Sequence, residues 1–366
     1  MATFEDQVTS ALESGVVPGV VVVAKDKKGN VDYSKAFSSK DCTTYNEETV
    51  MELASMTKLH TSVAALQLVE KGLVTLDEDV SRLVPSLAKQ EVLTGFADDG
   101  TPITRKRQNP ITLRQLLTHS AGAGYGFLNP SLGKVAAWKK TPQDGTVDGS
   151  FDLPLIYEPG EGFEYSSSID RAGQIVEKLT GQNLEEYMKQ HIWGPLGMDS
   201  TTFFASNNPS IQARRVPMAF RVDPTKPVVE NPDAPTFTAG LKEPFGGQGL
   251  FASMPDHLKL VHSLLVDDEK VLQKETTAIM FRPQLSPASK AALLENMKHP
   301  EWAVGNWPQT NEYDWGLGGI LVDGDKHEYR RNGTMIWSGA ANLFWVRQAA
   351  SPFPILILVP TLGSQS

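Results

Sequence analysis

The chain has 366 residues and carries 34 Lys and Arg against 43 Asp and Glu, a formal net charge of -9. That balance excludes a general binder of nucleic acid or of anionic membrane surfaces, while 40% apolar residues allow a sizeable core. The lone cysteine, Cys42, excludes an intramolecular disulfide and fits a reducing compartment.

Cys42 lies in a polar loop, Ser39 to Asn46, without a neighbouring base, and reads as a plain thiol. The stretch Met1 to Asp6 lacks the basic and apolar regions of a signal peptide. No apolar run reaches the length of a membrane span. The expectation is a cytoplasmic protein with no membrane and no nucleic-acid partner. Asn332-Gly333-Thr334 has the form of a glycosylation acceptor and, without secretion, reads as a turn.

In chain order, Phe4, Val8, Ala11 and Leu12 recur at helical spacing up to Gly15. Val20 to Ala24 and Val31 to Phe37 read as strands joined by a charged turn. Leu59 to Leu68 is apolar on most sides and predicts a buried helix. Thr112 to His119, Arg171 to Thr180 and Leu184 to Ile192 are helical patterns, separated by long loops at 98–110, 138–159 and 222–244. Gly316 to Val322, Ala341 to Arg347 and Ile355 to Val359 read as strands again. Strands at both chain ends predict one mixed sheet with an inserted, mostly helical region. The fold class is therefore α/β (α+β), with 1–95 and 240–366 forming a discontinuous sheet domain and 96–239 inserted into it.

Ser-x-x-Lys occurs three times: Ser55/Lys58, Ser86/Lys89 and Ser131/Lys134. A serine needs a partner that takes its proton, and a lysine three residues on lies one helical turn along the same face. Ser86 follows Val84-Pro85 and Ser131 follows Asn129-Pro130, so both read as turns with solvated lysines. Only Ser55 opens a buried helix, where a lysine costs free energy unless it has work or a partner. The plainer alternative is a helix-capping serine with a snorkelling lysine.

Two further stretches bear on chemistry. Glu158 to Ser167 is a turn-rich approach to Tyr165, just ahead of a helix, and a phenol near an ammonium can act as a base. Trp337-Ser338-Gly339-Ala340 lies in a strand after Asn332-Gly333, where the small Gly-Ala pair admits close approach to the strand edge. Core packing is the competing reading for Tyr165 and Trp337 alike.

These motifs, with Leu53 to Lys58, Ile111 to Gly122, Pro159 to Ser166, Trp193 to Met198 and Gly246 to Leu250, resemble the serine acyl-transfer enzymes of the β-lactamase and penicillin-binding-protein fold. Glu91 to Phe96 and the Trp337 motif look most like the fungal polyketide acyltransferases of the statin type within that family. The resemblance implies Ser55 as nucleophile, Lys58 and Tyr165 as its base pair, and the backbone N–H groups of Ser55 and Ala340 as the oxyanion site. It implies no cofactor and no metal. It implies a small ester or thioester donor, with an acyl carrier protein as one source, and an alcohol acceptor. Three departures stand out. Ser167 replaces a frequent Asn, and Trp337 replaces the Lys or His that binds substrate carboxylates, which suits a neutral or flat substrate. After the last strand the residues are also too few for the helix with which the family normally closes.

As a base at neutral pH, Lys58 must fall from about 10.4 to about 7, which corresponds to roughly 4–5 kcal/mol of environmental bias. If it stays charged, Tyr165 as phenolate is the base, and the two would titrate as a unit. Trp337, Ser338, Gly339, Tyr125, Phe127, Trp315 and Phe245 are the candidate substrate walls, with Gly122 to Phe127 as a mobile lip. His257 and His262 do not have metal spacing. No Gly-x-Ser-x-Gly elbow is present. A hydrolase of the same fold and a non-catalytic binding protein are the competing functions.

Overall fold

The computed structural model describes residues 2–140, 144–221, 223, 225–234, 236–348, 355–358 and 362–363. Its centre is a seven-stranded sheet built from both chain ends: β1 (Gly19–Lys25), β2 (Asp32–Ser38), β3 (Tyr313–Trp315), β4 (Ile320–Val322), β5 (Met335–Gly339), β6 (Leu343–Arg347) and β7 (Ile355–Leu358). The spatial order is β2-β1-β7-β6-β5-β4-β3. Every pairing in it is antiparallel rather than mixed. Short turns join β1 to β2, β3 to β4 and β5 to β6, while a longer loop, 323–334, joins β4 to β5, and a short turn can connect only antiparallel neighbours.

Helix α1 (Phe4–Glu13) begins at a capping box in which Thr3 and Asp6 satisfy each other's backbone N–H groups. Its Val8 and Leu12 cover Val20 and Val22 on one face of β1, while Val21 and Val23 join the main core on the other. A strand covered on both faces explains why Val20 to Ala24 is continuously apolar.

Helix α2 (Thr57–Glu70) is buried from Thr57 through Leu68. It packs along α3 (Ser168–Thr180), which presents Ile169, Ala172, Ile175 and Val176 to the interior. Helix α4 (Met254–Val266) packs on β1 and β6. Residues 55 and 165 thus stand just ahead of neighbouring helices: α2 begins two residues after Ser55, and α3 three residues after Tyr165.

Several expectations are corrected. Ser86 and Ser131 do not lie in turns: they enter short helices, Pro85–Ala88 and Pro130–Lys139, because proline at the first helical position is pre-set for helix. Lys89 and Lys134 are solvent-exposed, as expected. The loop expected from residue 98 contains a strand, Pro102–Lys106, paired with Glu91–Phe96. Gly316 to Val322 is not one strand. Gly316 N–H donates to the Gly319 carbonyl at 3.0 Å, and the chain reverses between β3 and β4. A side chain at Gly316 would strike Met335 and the Met280 carbonyl, so glycine is required there. Of the chain end, Leu362–Gly363 pairs in parallel with Phe220–Arg221. The other residues beyond 358, where the closing helix was expected to be missing, lie outside the described residues.

Candidate active site

Ser55 sits in a 3₁₀ turn, Ala54–Met56, that feeds α2. Ala54 adopts φ +45°, a left-handed conformation that a β-carbon disfavours. Leu53 N–H donates to the Leu250 carbonyl at 2.8 Å and Leu250 N–H to the Thr57 hydroxyl at 3.1 Å, which clamps the strained turn on both sides. Ser55 is half-buried, whereas Lys58 and Tyr165 are buried. The serine is therefore the member of the trio that a substrate can reach.

Lys58 Nζ lies 3.1 Å from Ser55 Oγ, 3.3 Å from the Tyr125 hydroxyl and 2.8 Å from the Gly247 carbonyl oxygen. It also stands over the Tyr165 ring, 4.7 Å from its centroid. Burial lowers its pKa to about 7, against the opposing pull of Asp170. The Ser55 hydroxyl is within hydrogen-bonding reach of the Tyr165 phenol, whose pKa burial raises. The expectation that Tyr165 readily reaches phenolate is thus weakened. Of the two candidate bases, the amine is the one whose surroundings favour its basic form.

Gly339 ends β5 where a β-carbon would lie 2.2 Å from the Leu53 carbonyl oxygen. Only glycine lets the strand end approach the Ser55 turn so closely, and the exposed Ala340 follows it in the chain. Ser338, by the alternation of the strand, pairs across to Phe344 and is buried.

The aromatic candidates divide. Tyr125 is buried with its hydroxyl against Lys58, and Phe127, 80% exposed, stacks on it at 5.0 Å. Trp337 is buried rather than lining open space. Its indole N–H donates to the Tyr165 hydroxyl at 3.2 Å, and its ring contacts Tyr165 and Trp315. Trp315 is buried against His119 and Trp337, and Phe245 is buried against Phe151 at the wall of a cavity of about 280 Å³.

Other residues of the site were not among the candidates. His119, at φ +55°, lies tilted against the Tyr165 ring at 4.7 Å and accepts the Ser166 N–H at Nδ1. Burial and Lys58 hold it neutral. Trp302, half-buried, lies 5.6 Å from the Tyr165 ring. It lines a cavity of about 290 Å³ with Leu128, Glu164, Tyr165, Glu295, Asn296 and His299. Asp170 is a buried carboxylate on α3 that accepts the Gly247 N–H at 2.8 Å. A buried acid in a helix's first turn ordinarily signals only a complement to the helix dipole, which is why its pattern is silent.

His257 does find a histidine partner, though not His262. Its Nδ1 lies 3.1 Å from His60 Nε2, and His60 Nδ1 accepts the Trp193 indole N–H at 3.2 Å. Among the described residues no cluster of His, Cys, Asp or Glu could hold a metal ion. No helix among them is long and apolar enough to cross a membrane.

The sequence model of the beta-lactamase family matches residues 4–357. The chain belongs to the beta-lactamase family. Within the family it is 35% identical over 350 residues to monacolin J acid methylbutanoyltransferase of Aspergillus terreus, covering 92% of this chain and 84% of that protein. It is 36% identical over 352 residues to lovastatin esterase of Penicillium rubens, covering 92% and 87%. Among solved structures, a mutant simvastatin synthase of Aspergillus terreus superimposes with a TM-score of 0.90 at 36% identity, over 98% of this chain and 88% of that one. The expected resemblance to fungal statin-type acyltransferases and the expected fold are thereby borne out.

Proposed function

We propose that this chain is a serine acyltransferase that forms an acyl-enzyme on Ser55 and passes the acyl group to an alcohol of a polyketide-type natural product. The observation that carries the reading is the 3.1 Å approach of Ser55 Oγ to a buried amine, Lys58, whose surroundings favour its neutral form. Ser55 attacks the carbonyl of an ester or thioester, and its proton passes to Lys58. The N–H groups of Ser55 and Ala340 receive the oxyanion, a contribution typically worth about 10²–10³ in rate. Lys58, with Tyr165 in reach of the same hydroxyl, returns the proton to the departing thiolate or alkoxide. An alcohol then attacks the acyl-enzyme by the same steps in reverse. The donor is a small ester or thioester, and a thioester on an acyl carrier protein satisfies the same chemistry.

The cavity beside Tyr165 has no Lys or Arg in its lining, and Glu164 and Glu295 contribute carboxyl groups to it. With Trp337 where a cation commonly stands, this favours a neutral acceptor and disfavours β-lactam hydrolysis. A relative named as an esterase matches as well as one named as a transferase, so ester hydrolysis is the second reading.

Incubation with an activated thioester and a candidate alcohol tests the proposal. Ester product in excess of free acid supports transfer, and free acid alone makes the protein a hydrolase. An intact-mass increase with a p-nitrophenyl ester, lost in Ser55→Ala, supports the acyl-enzyme. No mass increase in the unmodified protein overturns it in favour of a binding role.

A further inference from the structure

Asp170 is fully buried, yet its carboxylate accepts only the Gly247 N–H at Oδ1, and Oδ2 has no partner among the described residues. A buried carboxylate in that condition is costly unless a cation answers it. Its chain neighbour Arg171 answers it less than Lys58 does, because that guanidinium is turned to Asp148, Ser86, Gln174 and the Phe151 carbonyl. The principal cation is Lys58. The two share no hydrogen bond: Gly247 stands between them, its N–H on Asp170 Oδ1 and its C=O, part of the next peptide group, on Lys58 Nζ, each at 2.8 Å. A β-carbon at Gly247 would fall 2.3 Å from Asp170 Oδ2, so glycine is what permits the arrangement. Asp170 is also the third residue of α3, where an acid usually caps the helix, and the helix start receives no side-chain cap.

We infer that Asp170 is a positioning residue that acts on Lys58 across Gly247, the residue both of them hydrogen-bond, stabilising the ammonium that forms when Ser55 gives up its proton. The inference rests on the acyl-enzyme reading above. As the Ser55 O–H bond breaks and its oxygen bonds to the acyl carbon, the proton arrives on Nζ and a positive charge appears in a buried site. The other titratable groups facing Lys58 are Tyr125, Tyr165 and His119, and burial keeps all three neutral. Asp170 supplies the countercharge through space, and its hold on the Gly247 N–H fixes the residue whose carbonyl accepts from the amine. The same carboxylate favours the ammonium in the resting enzyme, so it also sets the pH at which acylation begins, while burial raises its own pKa to about 6.

The test is Asp170→Asn, which keeps the Oδ1 acceptor and removes the charge. Acylation by a p-nitrophenyl ester is followed from pH 5 to 9 alongside the unmodified protein. The maximal rate should fall about tenfold, and the acid limb should move down by about one pH unit. In a Lys58→Ala background, Asp170→Asn should change the residual rate less than about twofold, because coupled residues are not additive. An acid limb left in place, or an equal loss in both backgrounds, overturns the inference and leaves a merely structural carboxylate. Should Asp170→Asn fail to fold, Gly247→Ala, which pushes the carboxylate away, must give the same downward movement or the inference fails. Failure of the underlying reading has a different signature: Lys58→Ala would then acylate like the unmodified protein.

Discussion

The indole N–H of Trp337 donates to the hydroxyl of Tyr165 at 3.2 Å. This position is the first of a motif in which related enzymes commonly carry Lys or His. Here a neutral donor orients the phenol and adds no charge of its own, so the residue acts inward on the site instead of outward on substrate. Trp337→Phe keeps most of the packing against Trp315 and Trp302 but removes the donor. One hydrogen bond of about 0.5–1.5 kcal/mol corresponds to roughly 2- to 12-fold in acylation. A single-turnover rate within experimental error of the unmodified protein would leave the bond without a role.

Lys58→Ala should lower acylation by about 10²–10⁴-fold, the usual worth of general base catalysis. Thermal unfolding should show no large loss, since the amine's burial is itself unfavourable. In the unmodified protein the base is needed neutral, and burial lowers its pKa to about 7. Acylation should therefore rise with pH through about 7 and then level. A profile flat from pH 5 to 9 removes Lys58 as the base.

Burial raises the Tyr165 phenol above its usual range, so no ionisation of it should appear in the profile below pH 10. Tyr165→Phe should lower the plateau by about 10²-fold, in the range of proton-transfer effects, and leave the acid limb where it stood. Retention of acylation within about threefold of the unmodified rate would make Tyr165 a packing residue.

Gly339→Ala places a methyl group 2.2 Å from the Leu53 carbonyl oxygen, and the strand end must retreat from the Ser55 turn. Loss of an oxyanion donor predicts about 10²–10³ in kcat with little change in KM. A KM effect alone would mean that the glycine shapes the binding cleft instead.

His60 and His257 are buried together and both are held below their usual pKa by burial, His257 to about 3. In the unfolded chain each titrates near 6.5, so as pH falls below that value the unfolded state takes up protons that the fold refuses. Stability should decline by up to about 1.4 kcal/mol per pH unit for each histidine. Urea midpoints at pH 7, 6 and 5 measure it, and His257→Asn should make the decline shallower. An equal slope in both proteins would show that carboxylates dominate the acid limb.

The amino-acid order alone determined a good deal. The continuous Val20 to Ala24 run, the Leu59 to Leu68 helix and the Tyr165 approach to α3 are local patterns, because burial on one or two faces imprints a period on the chain. The Ser55/Lys58 spacing is equally local: three residues on a helix bring two side chains together whatever surrounds them. Ser86 and Ser131 have the same spacing and also enter helices, so it was burial and not helicity that set Ser55 apart. Tertiary structure alone decided the rest. Asp170 comes to share Gly247 with Lys58 only because α2 and α3 pack side by side with the Gly247 turn between them. His60 meets His257 across 197 residues of chain. Whether Trp337 faces the cleft or the core depends on Tyr165 arriving beside β5. The Ser-x-x-Lys pair was therefore legible as a nucleophile beside an amine, but the countercharge that governs that amine was not, since electrostatics between buried groups depends on distance in space and leaves no period in sequence.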